Sequence, residues 1–217
     1  MKKLILLFLV TGITCVTHGQ TSLYENPDFV EIAKSHESIA ILPFKTQVSL
    51  RPKQMKKLGE GELERLEQSE GEAIQKAMFS WFLKRKKRGD LQKINLQDPK
   101  KTTAMLKKQD IDYTNVYEYT SEEIAEMLGV DAVISGDFET NKPMSEGASV
   151  ALGLLVGFWG ATNSAVISMS VNNGSDGVLL WNYNKKVKGG LGSSPEDLIN
   201  TLMRKASRRL AYTKGDF

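Results

Sequence analysis

The chain predicts an α/β domain built on a single mixed sheet of about five strands, with helices packed against it. Three observations lead there. Ser38–Phe44 is a short, nearly all-apolar run with the composition of a strand buried on both faces, and Asp131–Phe138 reads as a second central strand. The text between them is charged, and its apolar residues recur at helical spacing. A later pair of runs flanks a strong turn cluster, and a capped helix closes the chain. Strands separated by helices, then a hairpin and a last helix, give the order β-α-β-α-β-β-β-α, with a glycine-rich insertion before the hairpin.

Taken in order, the elements begin with an export signal. Met1-Lys2-Lys3 puts positive charge ahead of the apolar run Leu4–Val10, and Thr17 and Gly19 supply small residues before a cleavage point after Gly19. The run is too short for a permanent anchor, which needs about 20 residues. Residues 1–19 are therefore expected to be a signal peptide and the protein to work in the periplasm or at the outer membrane. Residues 20–37 read as a short, loosely docked N-terminal segment, and 38–214 as the α/β domain.

Proline closes the first strand, Ser38-Ile39-Ala40-Ile41-Leu42-Pro43-Phe44. A long helix is predicted over about Lys53 to Lys87, with Leu63, Leu66, Ile74, Met78, Trp81 and Phe82 on one face. Gly71, in its middle, costs about 1 kcal/mol there and marks a break or a close contact. Leu91–Leu96 alternates like a half-buried strand. Asp98-Pro99 opens another helix, with the aspartate as N-cap and proline in the first turn. Asp110–Tyr119 is a loop. Thr120-Ser121-Glu122-Glu123 is a capping box ahead of a short helix that Gly129 stops. After the strand at 131–138 and the insertion at 144–162, Ala165–Val171 and Val178–Tyr183 flank the turn Asn172–Gly177. Ser194-Pro195-Glu196-Asp197 caps the last helix, whose apolar face is Leu198, Leu202, Ala206 and Leu210.

Two of these segments resemble a known group. Ile39-Ala40-Ile41-Leu42-Pro43-Phe44 resembles the opening "AVLPF" strand of a bacterial envelope superfamily, and Leu128–Gly136 resembles its "GADYVITG" strand after a short helix. The group includes the curli secretion channel subunit, the lipoprotein activator of penicillin-binding proteins and the N-terminal domain of the Tol translocation protein TolB. The resemblance spans roughly Ser38 to Tyr212 and is one of fold. It implies a protein that binds and assembles, and it carries over no catalytic residue. Two departures stand out. Gly12-Ile13-Thr14 before Cys15 makes a poor lipidation site, so lipidation at Cys15 is not expected, and Thr140–Thr162 matches no named member.

Composition removes several kinds of chemistry. Cys15 is the only cysteine and lies inside the signal, so no disulfide or thiolate metal site is expected in the rest. His18 leaves with the signal too, which makes His36 the one remaining histidine. Without Lys2 and Lys3 the 29 basic residues fall to 27 against 26 acidic ones, and a nucleic-acid partner loses its electrostatic basis. No cofactor and no metal are expected. The glutamates Glu60, Glu62, Glu64, Glu67, Glu70 and Glu72 spread around a helix and read as a solvated surface. Lys84–Arg88 and the cations Arg204, Lys205, Arg208 and Arg209 read as helix-end charges that favour the macrodipole. His36 reads as an exposed loop histidine, and Asp131 and Asp137 as turn or cap residues.

Two stretches are the candidate partner contacts. Gly147–Gly160 has no charge, and Gly153 and Gly157 lie four apart, which on a helix permits close backbone approach. Within it Gly153, Leu154, Gly157, Phe158 and Trp159 are the expected contact residues. The loop tyrosines Tyr113, Tyr117 and Tyr119 form the other patch, since tyrosine offers area with a polar tip. The leading expectation is an exported, non-enzymatic envelope protein that docks to another component or to its own copies, with peripheral membrane contact as an addition. A curli-type pore subunit inserted in the outer membrane is the first alternative. A hydrolase using Ser135 or a carboxylate is the second, and no recognisable motif supports it.

Overall fold

The computed structural model of the chain describes residues 21–91, 93–141, 164–188 and 195–213. Within them, one mixed sheet carries seven strands: β1 (Thr21–Glu25), β2 (Ser38–Ile41), β3 (Lys45–Val48), β4 (Asn95–Leu96), β5 (Ala132–Thr140), β6 (Ser164–Asn173) and β7 (Leu179–Lys188). The α-helices are α1 (Phe29–Ala33), α2 (Pro52–Met55), α3 (Glu62–Lys87), α4 (Pro99–Lys107), α5 (Ser121–Leu128) and α6 (Pro195–Ser207). The sheet runs β1-β7-β6-β5-β2-β4, and β3 pairs β5 beyond the end of β2. Strands β2, β3 and β4 join by parallel pairing, and β5-β6-β7-β1 is antiparallel throughout.

The mixed sheet with packed helices matches the expected class, but it has seven strands rather than about five. One extra strand, β1, comes from the N-terminal segment and pairs Thr21 with Lys185 and Glu25 with Trp181. Its backbone supplies the pairing, and its side chains leave no hydrophobic signature because all five residues are exposed. The other, β3, follows the Pro43 break, with too few residues for alternation to register in the sequence. The expected strand at Leu91–Leu96 shortens to Asn95–Leu96, and the long helix divides, with α2 and α3 separated at residues 56–61.

Burial follows strand direction. The parallel strand β2 and the start of β5 are buried on both faces, while β6 alternates between buried and half-buried residues along its whole length. The larger core fills one face, called inner here. Ile39, Ile134, Ile167, Met169, Trp181 and Tyr183 from the sheet meet Ile74, Met78 and Phe82 of α3, Leu202 and Met203 of α6, and Phe29 of α1. On the outer face a smaller core joins Ala40, Leu42 and Val133 to Leu106 of α4, Val116, and Ile124 and Leu128 of α5. Among the described residues that outer layer covers the parallel half of the sheet and reaches the Asn173 end of β6.

The break between β2 and β3 is held by one aromatic ring. Phe44 is fully buried, its N–H donates to the Gly71 carbonyl of α3 at 3.3 Å, and the Gln75 amide donates to the Ile41 carbonyl at 2.6 Å. A Cβ at Gly71 would stand 2.2 Å from the Phe44 carbonyl oxygen, and one at Gly136 would stand 2.5 Å from the Phe44 ring. Gly71 is thus a close contact inside an unbroken helix. At Thr120 the expected capping box is present, with the Glu123 N–H donating to the Thr120 hydroxyl and the Thr120 N–H to the Glu123 carboxylate.

Candidate functional site

Because side chains alternate across a strand, the outer ends of β5, β6, β7 and β1 present a face with no described helix over it. Register assembles that face into rows. One row runs Ser135, Ser170, Asn182, Tyr24 across four strands. The next runs Lys45, Asp137, Ser168, Asn184, Ser22 across five. A third runs Gln47, Glu139, Val166, Lys186. The Asn182 amide donates to the Ser170 hydroxyl at 3.0 Å and to the Met169 carbonyl at 3.1 Å, so side chains of the first row are tied across β6 and β7. Lys45, Gln47, Asp137, Glu139, Ser168 and Asn184 line a shallow depression of about 580 Å³ over this face.

What such a surface can do follows from its side chains. Serine and asparagine offer both donors and acceptors and lose little rotamer freedom when they are covered. Both signs of charge are interspersed, which suits a polar protein contact and gives an anionic membrane no field to follow. Ser135 sits at the β5 border of the face, opposite Ser170, with neighbours of hydroxyl and amide character along its row.

The loop tyrosines divide. The Tyr113 hydroxyl accepts from the Thr46 N–H at 2.8 Å, and the Tyr117 hydroxyl donates to the Pro43 carbonyl at 2.5 Å. Their rings meet edge to face at 6.2 Å, and the Lys45 ammonium stands 5.7 Å from the Tyr117 ring centre. Burial raises the pKa of both phenols; at Tyr117 the neighbouring Tyr113 and Asp137 add to it, and at Tyr113 the Thr46 contacts oppose it. Both therefore clasp the loop to the β2–β3 break. Tyr119 is exposed at 37 %. Gly153, Leu154, Gly157, Phe158 and Trp159, and the signal at 1–19, lie outside the described residues.

His36 departs from the exposed position expected of it: it is 6 % exposed. Its Nδ1 lies 2.5 Å from the Tyr212 hydroxyl and its Nε2 3.1 Å from Asn173 Oδ1. The Asn173 amide nitrogen already donates to Ser175 and Asp176, so its oxygen accepts and His36 Nε2 carries the proton. Tyr212 then donates to Nδ1, a fully satisfied neutral arrangement. Burial lowers the His36 pKa, against the opposing pull of Asn173, Asp131 and Asp176. The sequence hid this because the partners lie 137 and 176 residues away.

Asp131 works as a cap, as its place at a strand end suggests. Its Oδ2 accepts from the Glu37 N–H at 2.9 Å, the Ser38 N–H at 2.8 Å and the Ser38 hydroxyl at 3.0 Å. Burial would raise its pKa, but these donors and nearby His36 together hold it below the ordinary value. In the basic run at the end of α3, Arg85 is buried and pairs with Asp90 at 3.4 Å, and the Lys86 ammonium donates to the Ile94 carbonyl at 2.7 Å. Lys84 stands 4.3 Å over the Trp81 ring.

No protein-family model matches the chain, and no curated protein matches it significantly in sequence. Among solved structures it is similar to the PelC dodecamer from Paraburkholderia phytofirmans, at 10 % identity and a TM-score of 0.47, over 92 % of this chain and 100 % of that one. It is also similar to lipoprotein GNA1162 from Neisseria meningitidis, at 11 % identity and a TM-score of 0.45, over 80 % of this chain and 97 % of that one. A third is the hypothetical protein CT253 from Chlamydia trachomatis, at 12 % identity and 0.33, over 78 % and 92 %. Likenesses at this level carry neither a function nor an assembly state over to this chain.

Proposed function

We propose that the chain is an exported, non-enzymatic docking module of the cell envelope, and that the open face of β5, β6, β7 and β1 meets a protein partner, a second copy of the chain included. The observation that supports this reading most is the face itself: rows of short hydroxyl and amide side chains, with both signs of charge, beside a parallel half that is covered on both sides. The export signal read in residues 1–19 supplies the compartment. A polar face of this kind gives a hydrogen-bonded, wet interface rather than an apolar one.

The test is the native mass of the protein from cell envelopes, taken from a salt-and-buffer wash and from a detergent extract. The expected species in the wash is larger than one chain. The double substitution Ser168→Arg, Asn184→Arg is expected to return it to a single chain with an unchanged melting temperature, because both positions are only half-buried on the outer face. A wild-type protein that runs as a single chain in both extracts would refute the docking reading. Recovery only in detergent as a large assembly would replace it with the pore subunit.

A further inference from the structure

Strand β7 sends one residue against the pattern of its face. Trp181, Tyr183 and Val187 point inward and are buried among apolar side chains, and the same alternation places Lys185 between them at 9 % exposure. A lysine is rare in such a position, because its ammonium must reach water or an anion. The stem packs under the sheet edge and the ammonium donates to the hydroxyl of Thr21, on the exposed strand β1. It opens there on a cleft of about 210 Å³ lined by Lys185, Arg204, Lys205, Arg208 and Arg209.

Five cations from two elements thus surround one small volume, and no described carboxylate lines it. Arg209 is held in place, its guanidinium donating to the Tyr183 hydroxyl at 3.2 Å with its carbon 5.7 Å from the ring centre. Arg204 and Arg208 are four apart, as are Lys205 and Arg209, so the end of α6 and the turn after it present two pairs on adjacent lines. Arg204, Arg208 and Arg209 are exposed and Lys205 is half-buried, as helix-end cations usually are. Here a buried lysine from a neighbouring strand joins them, and its pKa is lowered by burial and then by Lys205 and Arg209. That mutual repulsion is relieved when a multiply charged anion enters.

From this geometry we infer that the cleft between β7 and the end of α6 is a binding site for a phosphate group, with the Arg204, Arg208 and Arg209 forks and the Lys185 and Lys205 ammoniums as its ligands. Phosphate fits better than a carboxylate. It carries up to two charges and presents oxygens on every side, as a cleft with cations from two elements requires, and arginine grips it through paired N–H groups. The site lies on the inner side of the sheet, so it is separate from the docking face and stands or falls without it. The phosphate comes either from a soluble phosphoryl compound or from a lipid headgroup that the edge of the sheet approaches.

Inorganic pyrophosphate and phosphatidic acid vesicles are the probes, used with the whole protein at matched ionic strength. Pyrophosphate is expected to raise the melting temperature and to bind saturably in calorimetry. Arg208→Gln, at an exposed position where folding is not at risk, is expected to weaken that binding at least about tenfold, and Lys205→Gln likewise. Binding to pyrophosphate without flotation on phosphatidic acid vesicles, compared with phosphatidylcholine, assigns a soluble ligand. Flotation that Arg208→Gln abolishes assigns a headgroup. No saturable effect of either probe at matched ionic strength overturns the site, and so does binding that both variants retain in full.

Discussion

At Gly71 two rules of thumb give opposite signs. A glycine inside a helix costs about 1 kcal/mol against alanine, so Gly71→Ala should stabilise a free-standing α3. The added methyl would instead stand 2.2 Å from the Phe44 carbonyl oxygen and 2.9 Å from the Tyr113 ring. The backbone oxygen cannot give way without moving the β2–β3 break. Gly71→Ala is therefore expected to destabilise by about 2–3 kcal/mol, read as a lower urea midpoint at unchanged slope. A midpoint that rises would mean that α3 does not press on Phe44. His36 supplies the residue-scale pH dependence. Its folded pKa lies below the ordinary 6.5, so the unfolded chain takes up the proton first. Its contribution is complete above the unfolded value and declines as pH falls through about 6.5 towards the folded pKa. Urea midpoints between about pH 7.5 and 5 should show that decline, and replacing His36 with glutamine should flatten it. Tyr212→Phe removes the donor to Nδ1 and should cost about 1–2 kcal/mol at neutral pH.

Among the elements, β1 and β6 mark the two ends of what side-chain pattern can reveal. In β6, alternation over ten residues is enough to place a strand with one face inward. Strand β1 has five exposed residues, Leu23 and Tyr24 both at 44 %, and the β7 backbone alone defines it. Nothing in Thr21–Glu25 could have announced it. The same holds for β3, which exists because Phe44 seats against Gly71 and Gly136 and restarts the chain along β5. Two caps, by contrast, were legible: Thr120 with Glu123 and Asp98 with Lys100 are local hydrogen bonds written in local residues, whereas the Arg51–Gln54 box of α2 was not read and Ser194 lies outside the described residues. The prediction at this scale concerns amide exchange. The β1 amides should exchange through local opening, well below the free energy of global unfolding, while β5 and β6 exchange only with it. Equal protection in β1 and β6 would show that something further covers the β1 edge.

For the molecule as a whole, the class of fold was legible because Ser38–Phe44 is an apolar run and the inward residues of β5 and β6 keep their alternation. The candidate sites were less so. The docking face is built from serines and asparagines that look like filler until register aligns them in rows. The cationic cleft needed Lys185, which reads as one more charge in Asn184-Lys185-Lys186 until alternation turns it inward. Four of its five ligands were visible at the end of the last helix, where the macrodipole already explained them.

The antiparallel pairing of β1 with β7 also orders events in time. Thr21 meets Lys185 from 164 residues away, and the Asn26 amide reaches the Leu179 carbonyl across 153. The first strand to emerge thus waits for nearly the last before it finds its place, and long-range pairings of this kind fold slowly. For a chain that crosses a membrane as an unfolded thread, as the proposed export requires, that delay is an advantage. Strand β1, by contrast with the parallel half, has no partner to pair with until β7 has been made.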